Sequence, residues 1–190
     1  DRPSAGSEAA LLMHPNIVVF NSPISPLVFN DVLIDRLLFA AEKGLPQVCY
    51  SGPQAGATAP ATLAGTVVQG SVESLFGIVL AQMVRPASPF IYGAFATIMD
   101  MKTSVFSYGA PEMNVMASAM AQMAQFYNIP FMGMSGCSDA KRPDQQAAVE
   151  ATFSCLCSSM SGANMVHDNG WLDRATLVSP EYMVLVNEII

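Results

Sequence analysis

The sequence has few charged residues, and few basic ones in particular. Only 12% of its 190 residues are charged, and eight Lys and Arg against fifteen Asp and Glu leave a net charge of −7. Nucleic-acid binding depends on clustered basic side chains, so this composition argues against a nucleic-acid partner. A cationic ligand is compatible with the acidic balance. With 52% hydrophobic residues, the chain can bury the core of one globular domain.

Long hydrophobic runs are also missing. Apolar stretches such as residues 17–20 and 78–83 are short and broken by polar residues, well under the roughly 20 residues that a membrane span needs. No signal peptide is recognisable. We therefore predict a soluble, cytoplasmic protein without a membrane segment.

Metal-binding patterns are absent as well. Of the two histidines, His14 precedes the first predicted strand and His167 lies near the end of the last, so we expect no two-histidine metal site. The cysteines lack C-x-x-C spacing and are expected to be free thiols: Cys49, Cys137, Cys155 and Cys157.

Short apolar runs alternate with segments of helical spacing, which is typical of repeated β/α units. Strands are predicted at residues 16–21, 47–50, 90–95, 131–135 and 164–168. Helices are predicted at residues 31–42, 61–83, 111–127 and 144–160. Asn30 or Asp31 can cap the first helix and Gly44 can end it, while Pro111 suits the first turn of the third.

The order of these elements predicts an α/β fold, an eight-stranded (β/α)8 TIM barrel of which this chain supplies roughly the last five β/α units. A doubly wound open sheet would give the same alternation, but no G-x-G-x-x-G motif joins a strand to a helix. The chain begins without Met and ends on an apolar, helix-like segment, residues 187–190. We expect residues 1–190 to be the C-terminal part of a single barrel domain within a larger protein.

Candidate functional residues follow the predicted strands, where a barrel has its active site. His167 lies at a strand end beside Asp168, and Asp139 lies in a Gly- and Ser-rich turn. Glu112 lies near the positive end of a helix dipole. We take His167, Asp139 and Glu112 as candidate catalytic residues, although Asp139 could equally pair with Lys141 or cap a helix.

Aromatic residues near the same turns are candidates for ligand binding. A quaternary ammonium group cannot donate hydrogen bonds, so the faces of aromatic rings are its natural partners. Phe95, Tyr108 and Trp171 could form such a cage. The loop at residues 51–58 could bring backbone amides to a ligand carboxylate, with Gly52, Gln54 and Gly56 as its candidate binding residues.

Five motifs resemble the trimethylamine methyltransferase superfamily in order and spacing. They are S-G-P-Q-A-G-A-T-A-P-A-T-L-A-G at residues 51–65, Y-G-A-P-E at 108–112, G-C-S-D-A-K at 136–141, G-A-N followed by V-H-D within 162–168, and N-E-I-I at 187–190. The resemblance covers nearly all of the chain from His14 onward.

The resemblance implies an eight-stranded barrel of more than twice this length. It implies an enzyme that moves a methyl group from a tertiary or quaternary amine to Co(I) of a cobalamin, held on a separate corrinoid protein. No cofactor would then be bound tightly by this chain. We also expect a homo-oligomer.

The family's archetype carries pyrrolysine, whereas relatives without it act on quaternary amines such as glycine betaine. This sequence contains no pyrrolysine, so we expect a betaine-like substrate, with His167 or the amides of residues 52–56 near its carboxylate.

Two alternatives remain open. A non-catalytic barrel could bind a quaternary amine or a corrinoid protein without turnover. A lyase or aldolase barrel could use Lys141 to form a Schiff base.

Overall fold

The computed structural model describes residues 7–190 and contains α helices and β strands in alternation. In chain order the elements are α1 (Glu8–Met13), β1 (Val19–Asn21), α2 (Asp31–Lys43), β2 (Gln47–Ser51), β3 (Gln54–Ala55), α3 (Leu63–Val84), β4 (Phe90–Ala94), β5 (Thr97–Asp100), β6 (Val105–Ser107), α4 (Pro111–Phe126), β7 (Phe131–Met134), α5 (Gln145–Met160), β8 (Met165–His167), β9 (Trp171–Leu172), β10 (Leu177–Val178) and α6 (Pro180–Ile189).

A five-stranded parallel sheet forms the centre of the fold, in the order β1-β2-β4-β7-β8. These are the five strands predicted from the sequence, each followed along the chain by a helix. The sheet is strongly curled, because the rings of Phe20 and His167, which lie on opposite edge strands, are only 5.2 Å apart. The α/β class is confirmed, and the curled sheet with its helices fits part of a TIM-barrel-like fold.

The helix termini follow the predicted capping residues. The Asn30 side chain accepts a hydrogen bond of 2.8 Å from the Leu33 amide at the start of α2. Gly44 ends that helix in the left-handed region, at φ +71°, where glycine is favoured over other residues. Pro111 occupies the first turn of α4, where its missing N–H leaves no hydrogen bond unmade.

The sequence did not predict several short elements. β3, β5 and β6 form a three-stranded sheet beyond the carboxyl ends of β2 and β4. The Thr97 amide donates to the Pro53 carbonyl, so the parallel pairing of β2 and β4 continues past the end of each strand. β3, β5 and β6 are two to four residues long and lie in segments that the sequence assigns to the loops after predicted strands.

The two faces of the central sheet contact different environments. Successive side chains of a strand point to opposite faces. On the outer face, Tyr92 and Phe131 pack against α3 and α4. On the inner, concave face, Val48, Tyr50 and Met132 form a separate cluster.

The sequence predicts no segment long and apolar enough to span a membrane. Helix α3 meets that criterion by length and composition. Its 22 residues have a mean hydropathy of 1.5 over the most apolar window, of which 39% is buried in the protein. It packs along β2 and β4, and its buried face includes polar residues bonded to the protein. Ser74, for example, donates a hydrogen bond of 3.0 Å to the Cys49 carbonyl. These contacts are those of a helix that packs one face on the sheet and leaves the other face exposed.

Glu73 of α3 holds two loops against this helix through hydrogen bonds. Its fully buried carboxylate accepts hydrogen bonds from the Ser25 hydroxyl (2.7 Å), the Leu27 amide (2.9 Å) and the Gln69 side chain (3.2 Å). Gln69 in turn donates to the Thr58 carbonyl at 2.7 Å. The loops that follow β1 and β2 are therefore held to the same helix. Buried carboxylates are stable only when hydrogen bonds replace the lost water, as they do here.

Replacing Glu73 should destabilise the protein strongly. Glu73→Leu leaves three partly buried hydrogen-bond donors without their acceptor and should lower the free energy of unfolding by about 3 kcal/mol. Glu73→Gln keeps one acceptor oxygen and should cost about 1 kcal/mol. Chemical denaturation of the intact protein would measure both. The control is Glu42→Gln on the exposed face of α2, for which we expect a change within about 0.5 kcal/mol. Equal effects of Glu73→Leu and Glu42→Gln would contradict this account.

Candidate active site

Six rings form a row near the carboxyl ends of the central strands, running from the concave face toward β6. We call this set the aromatic row: Phe20, His167, Tyr50, Phe95, Tyr108 and Phe106. Phe20 stacks on His167, and Tyr50 lies 5.3 Å from the same imidazole. Tyr50 and Phe95 stack at 5.8 Å, and Phe95 and Tyr108 at 5.9 Å. Neighbouring ring centroids are thus within the range of favourable aromatic contacts.

The structure brings the three predicted cage residues together. Phe95 and Tyr108 stack directly, and Trp171 packs against the cluster that contains Tyr108. Gly52 lies flat against Phe95, since a Cβ atom at Gly52 would be 2.5 Å from the Phe95 ring. Glycine is therefore required here by close approach, which gives one predicted binding residue a structural reason.

Sequence reasoning missed Phe20 and Tyr50. Both lie inside predicted strands, where an aromatic residue is usually read as core. The sequence did contain a signal for Tyr50, because this residue lies only two positions before Gly52, a predicted binding residue. Strand alternation also places Tyr50 on the same face of the sheet as Val48.

His167 ends β8 with its side chain 37% exposed. Its Nδ1 atom lies against the Asp168 carboxylate, but the contact lacks the geometry of a hydrogen bond. Asp168 is 9% exposed and adopts φ +72°, a left-handed conformation that is uncommon outside glycine. Such backbone strain persists only where the surrounding structure enforces it, and it is frequent at functional sites.

Asp139 accepts hydrogen bonds that hold the turn after β6. One carboxylate oxygen accepts from the Tyr108 amide at 2.8 Å, and the other accepts from the Gly109 amide at 3.0 Å and from the Ser107 hydroxyl. Both oxygens are occupied, so Asp139 orients Tyr108 through its backbone.

Glu150 of α5 holds Asp139 in the same way. It accepts from the Ser138 hydroxyl at 2.6 Å and from the Asp139 amide at 2.8 Å. Gly109 lies directly on this carboxylate, because a Cβ atom there would be 2.4 Å from the Glu150 carboxyl carbon. Two carboxylates in series thus fix the position of one aromatic ring.

Three neutral donors lie near Asp168: the phenols of Tyr50 and Tyr108 and the thiol of Cys137. Burial raises the pKa of the Tyr50 phenol well above its usual value, and the charge of Asp168 raises it further. The same two causes raise the pKa of Tyr108 and of the Cys137 thiol. Cys137 donates to the Asp168 carbonyl at 3.0 Å. A protonated, buried thiol is a poor nucleophile, so Cys137 serves packing and hydrogen bonding.

The loop at residues 52–58 uses most of its amides internally. The Gln54 amide donates to the Thr58 hydroxyl, and the Gly56 amide donates to the Ala59 carbonyl. The amides of residues 57, 58 and 59 all donate to the Gln54 carbonyl. These donors are occupied and do not face a ligand in this conformation.

Two other candidates lie apart from the aromatic row. Glu112 is partly exposed in the first turn of α4, and within the described residues no hydrogen bond or ion pair involves its carboxylate. Lys141 is exposed in the turn before α5, whereas a Schiff-base lysine usually lies in a desolvated pocket. Across residues 7–190, no three His, Cys, Asp or Glu side chains cluster so as to hold a metal ion.

Loss of one Asp139 oxygen should loosen the turn that carries Tyr108. Asp139→Asn places an amide group against a backbone donor, so hydrogen exchange at the amides of residues 108 and 109 should accelerate about tenfold or more. Asp144→Asn is the matched control, because Asp144 caps α5 and Asn caps helices equally well. Exchange measured by mass spectrometry on the intact protein should change in the first variant only. Unchanged exchange at residues 108 and 109 in Asp139→Asn would show that Asp139 does not hold this turn.

Comparison with known proteins gives the chain's relationships. The family model described as "Trimethylamine methyltransferase (MTTB)" matches residues 4–190. Trimethylamine methyltransferase MttB2 of Methanosarcina mazei is 35% identical over 185 residues, which are 97% of this chain and 37% of that protein. The glycine betaine methyltransferase of Desulfitobacterium hafniense is 34% identical over 97% of this chain and 39% of its own length.

This chain therefore spans less than two fifths of the length of these relatives. The match nevertheless extends over almost every residue that the structure describes. The chain belongs to the trimethylamine methyltransferase family.

Proposed function

We propose that the intact protein transfers a methyl group from a quaternary or tertiary methylated amine, such as glycine betaine, to Co(I) of a corrinoid carried on a partner protein. The observation that carries the proposal is the aromatic row at the carboxyl ends of the strands, in a chain of this family. Relatives named for trimethylamine and for glycine betaine support a methylated amine as substrate.

The aromatic row suits a methylated ammonium on physical grounds. The positive charge of this group is spread over its methyl groups, which interact favourably with the faces of aromatic rings. Phe95 and Tyr108 stack on each other with Trp171 close by, so the ammonium group would lie beside this pair and contact the ring surfaces that the stacking leaves free. The largely buried Asp168 carboxylate, near Tyr50 and Tyr108, adds a negative charge that favours a cation.

The reaction needs no proton from the protein when the substrate is quaternary. In the proposed transfer the N–CH₃ bond would break with its electron pair going to nitrogen, which would become uncharged. The Co(I) centre on the partner protein would supply the electron pair for the new bond to the methyl carbon. The residues of this chain would then orient the ammonium group and exclude water. A tertiary amine is a poorer substrate, because it must first gain a proton or another electrophile at nitrogen.

Within this proposal the three candidate catalytic residues have different roles. His167 contacts Phe20 and Tyr50 and so lies where a substrate would bind. Asp139 is a positioning residue that acts through Tyr108. Glu112 has no assigned contact, and we retain it only as a candidate on the rim.

The proposal extends to the whole protein. A complete eight-stranded barrel would supply strands beside β1 and β8, the two edges of the curled sheet. A homo-oligomer is supported by the exposed apolar stripe along α3, since large apolar patches often mark contacts between proteins; it consists of Val68, Val72, Phe76, Val79 and Met83. Free cysteines suit a cytoplasmic location.

The direct test is a methylation assay with the intact protein and reduced Co(I) cobalamin. Glycine betaine and other methylated amines should each be supplied in turn, and formation of methylcobalamin should be followed by absorbance. We expect turnover with at least one quaternary amine. Binding of the amines without methylcobalamin formation, with either free cobalamin or the corrinoid protein, would contradict the enzymatic proposal and favour a binding protein.

Removing one ring of the aromatic row should selectively weaken binding of the substrate. Phe95→Leu keeps an apolar side chain but removes the ring face, and should raise the KM for the quaternary amine about tenfold. Phe126→Leu is the matched control, because Phe126 is 78% exposed at the end of α4. Equal KM values for both variants would contradict a role of the aromatic row in binding.

A further inference from the structure

Tyr50 contains a buried hydroxyl without a partner. Its side chain is 2% exposed, and its oxygen makes no hydrogen bond to any described residue. Buried hydroxyl groups in folded proteins are nearly always hydrogen-bonded, since an unpaired one has lost water without replacement. Such an exception in a native structure marks a place where a group outside the described residues, such as a bound ligand, can supply the missing hydrogen bond.

The surroundings of this hydroxyl are those of the candidate active site. The Tyr50 ring contacts Phe20, His167 and Phe95, all of them in the aromatic row. The charge of Asp168 contributes to raising the pKa of Tyr50, after burial itself. The phenol therefore remains protonated at neutral pH and is available as a donor.

Tyr92 on the adjacent strand provides the contrast. It is fully buried like Tyr50, but it points to the outer face of the sheet. Its hydroxyl lies 2.6 Å from the Ser71 hydroxyl and is satisfied. Of two buried tyrosines on paired strands, only the one on the concave face has a free hydroxyl.

We propose that the Tyr50 hydroxyl donates a hydrogen bond to an oxygen on the non-methyl arm of the bound ammonium, and so selects substrates that carry such an arm. The inference rests on the proposed function, because it places the substrate against the aromatic row. Tetramethylammonium has no such oxygen. Choline offers a hydroxyl and glycine betaine a carboxylate, and both provide the same hydrogen-bond acceptor chemistry.

The test compares the dissociation constants of these three ligands by calorimetry on the intact protein. Tyr50→Phe removes only the hydroxyl. It should raise the dissociation constant for choline, glycine betaine or both about tenfold, while the constant for tetramethylammonium changes less than twofold. Tyr92→Phe, the matched control, should leave all three constants within twofold. Comparing choline with glycine betaine identifies which oxygen Tyr50 contacts.

Two outcomes would overturn the inference. If Tyr50→Phe leaves both oxygen-bearing ligands unchanged, the hydroxyl does not contact the ligand. If it weakens all three equally, the effect is one of general packing or of a structural water. Either result, together with normal methyl transfer by the variant, leaves the proposed function standing. Failure of all three ligands to bind the unmodified protein would overturn both proposals.

Discussion

The side chains of the five parallel strands alternate between two environments, and the candidate site depends on this alternation. On the outer face, Tyr92, Ala94 and Phe131 are enclosed by α3 and α4. On the inner face, Val48 and Tyr50 belong to a cluster in which Phe95 is only partly buried. A shift of one residue in register would exchange the two sets. The aromatic row therefore depends on the same pairing that builds the core.

The curvature of the sheet brings the side chains of this face together at the candidate site. In a flat sheet, the five strands would place β1 and β8 at a separation of about four strand spacings, or roughly 19 Å. In the curled sheet, Phe20 and His167 stack at 5.2 Å, with Tyr50 touching both. Rings that are far apart in the sequence are brought together at the carboxyl end, where β/α barrels have their active sites.

Sequence reasoning recovered the regular elements, because each has a strong local signal. The run at residues 90–95 is apolar, and so is the run at 47–50 after Gln47. Asn30 begins α2 through its capping side chain, and Gly44 ends it through its left-handed backbone. The sequence also proposed Phe95, Tyr108 and Trp171 as binding candidates because they follow strands, and the structure brings these three side chains together. The roles of Asp139 and Glu73 could not be predicted, because each carboxylate has hydrogen-bond partners that are distant in the sequence. Gly109 is 30 residues from Asp139, and Ser25 is 48 residues from Glu73. The hydrogen-bond partners of a carboxylate decide whether it is available for reaction or holds other residues in place.

We propose that the aromatic row binds a quaternary cation. The most direct measurement is an anomalous difference map from crystals of the intact protein grown with arsenobetaine or tetramethylarsonium, in which arsenic replaces the ammonium nitrogen. We predict an arsenic peak in contact with the rings of Phe95 and Tyr108, on the concave side of the sheet. A peak elsewhere on the protein, with none at the aromatic row, would contradict the account.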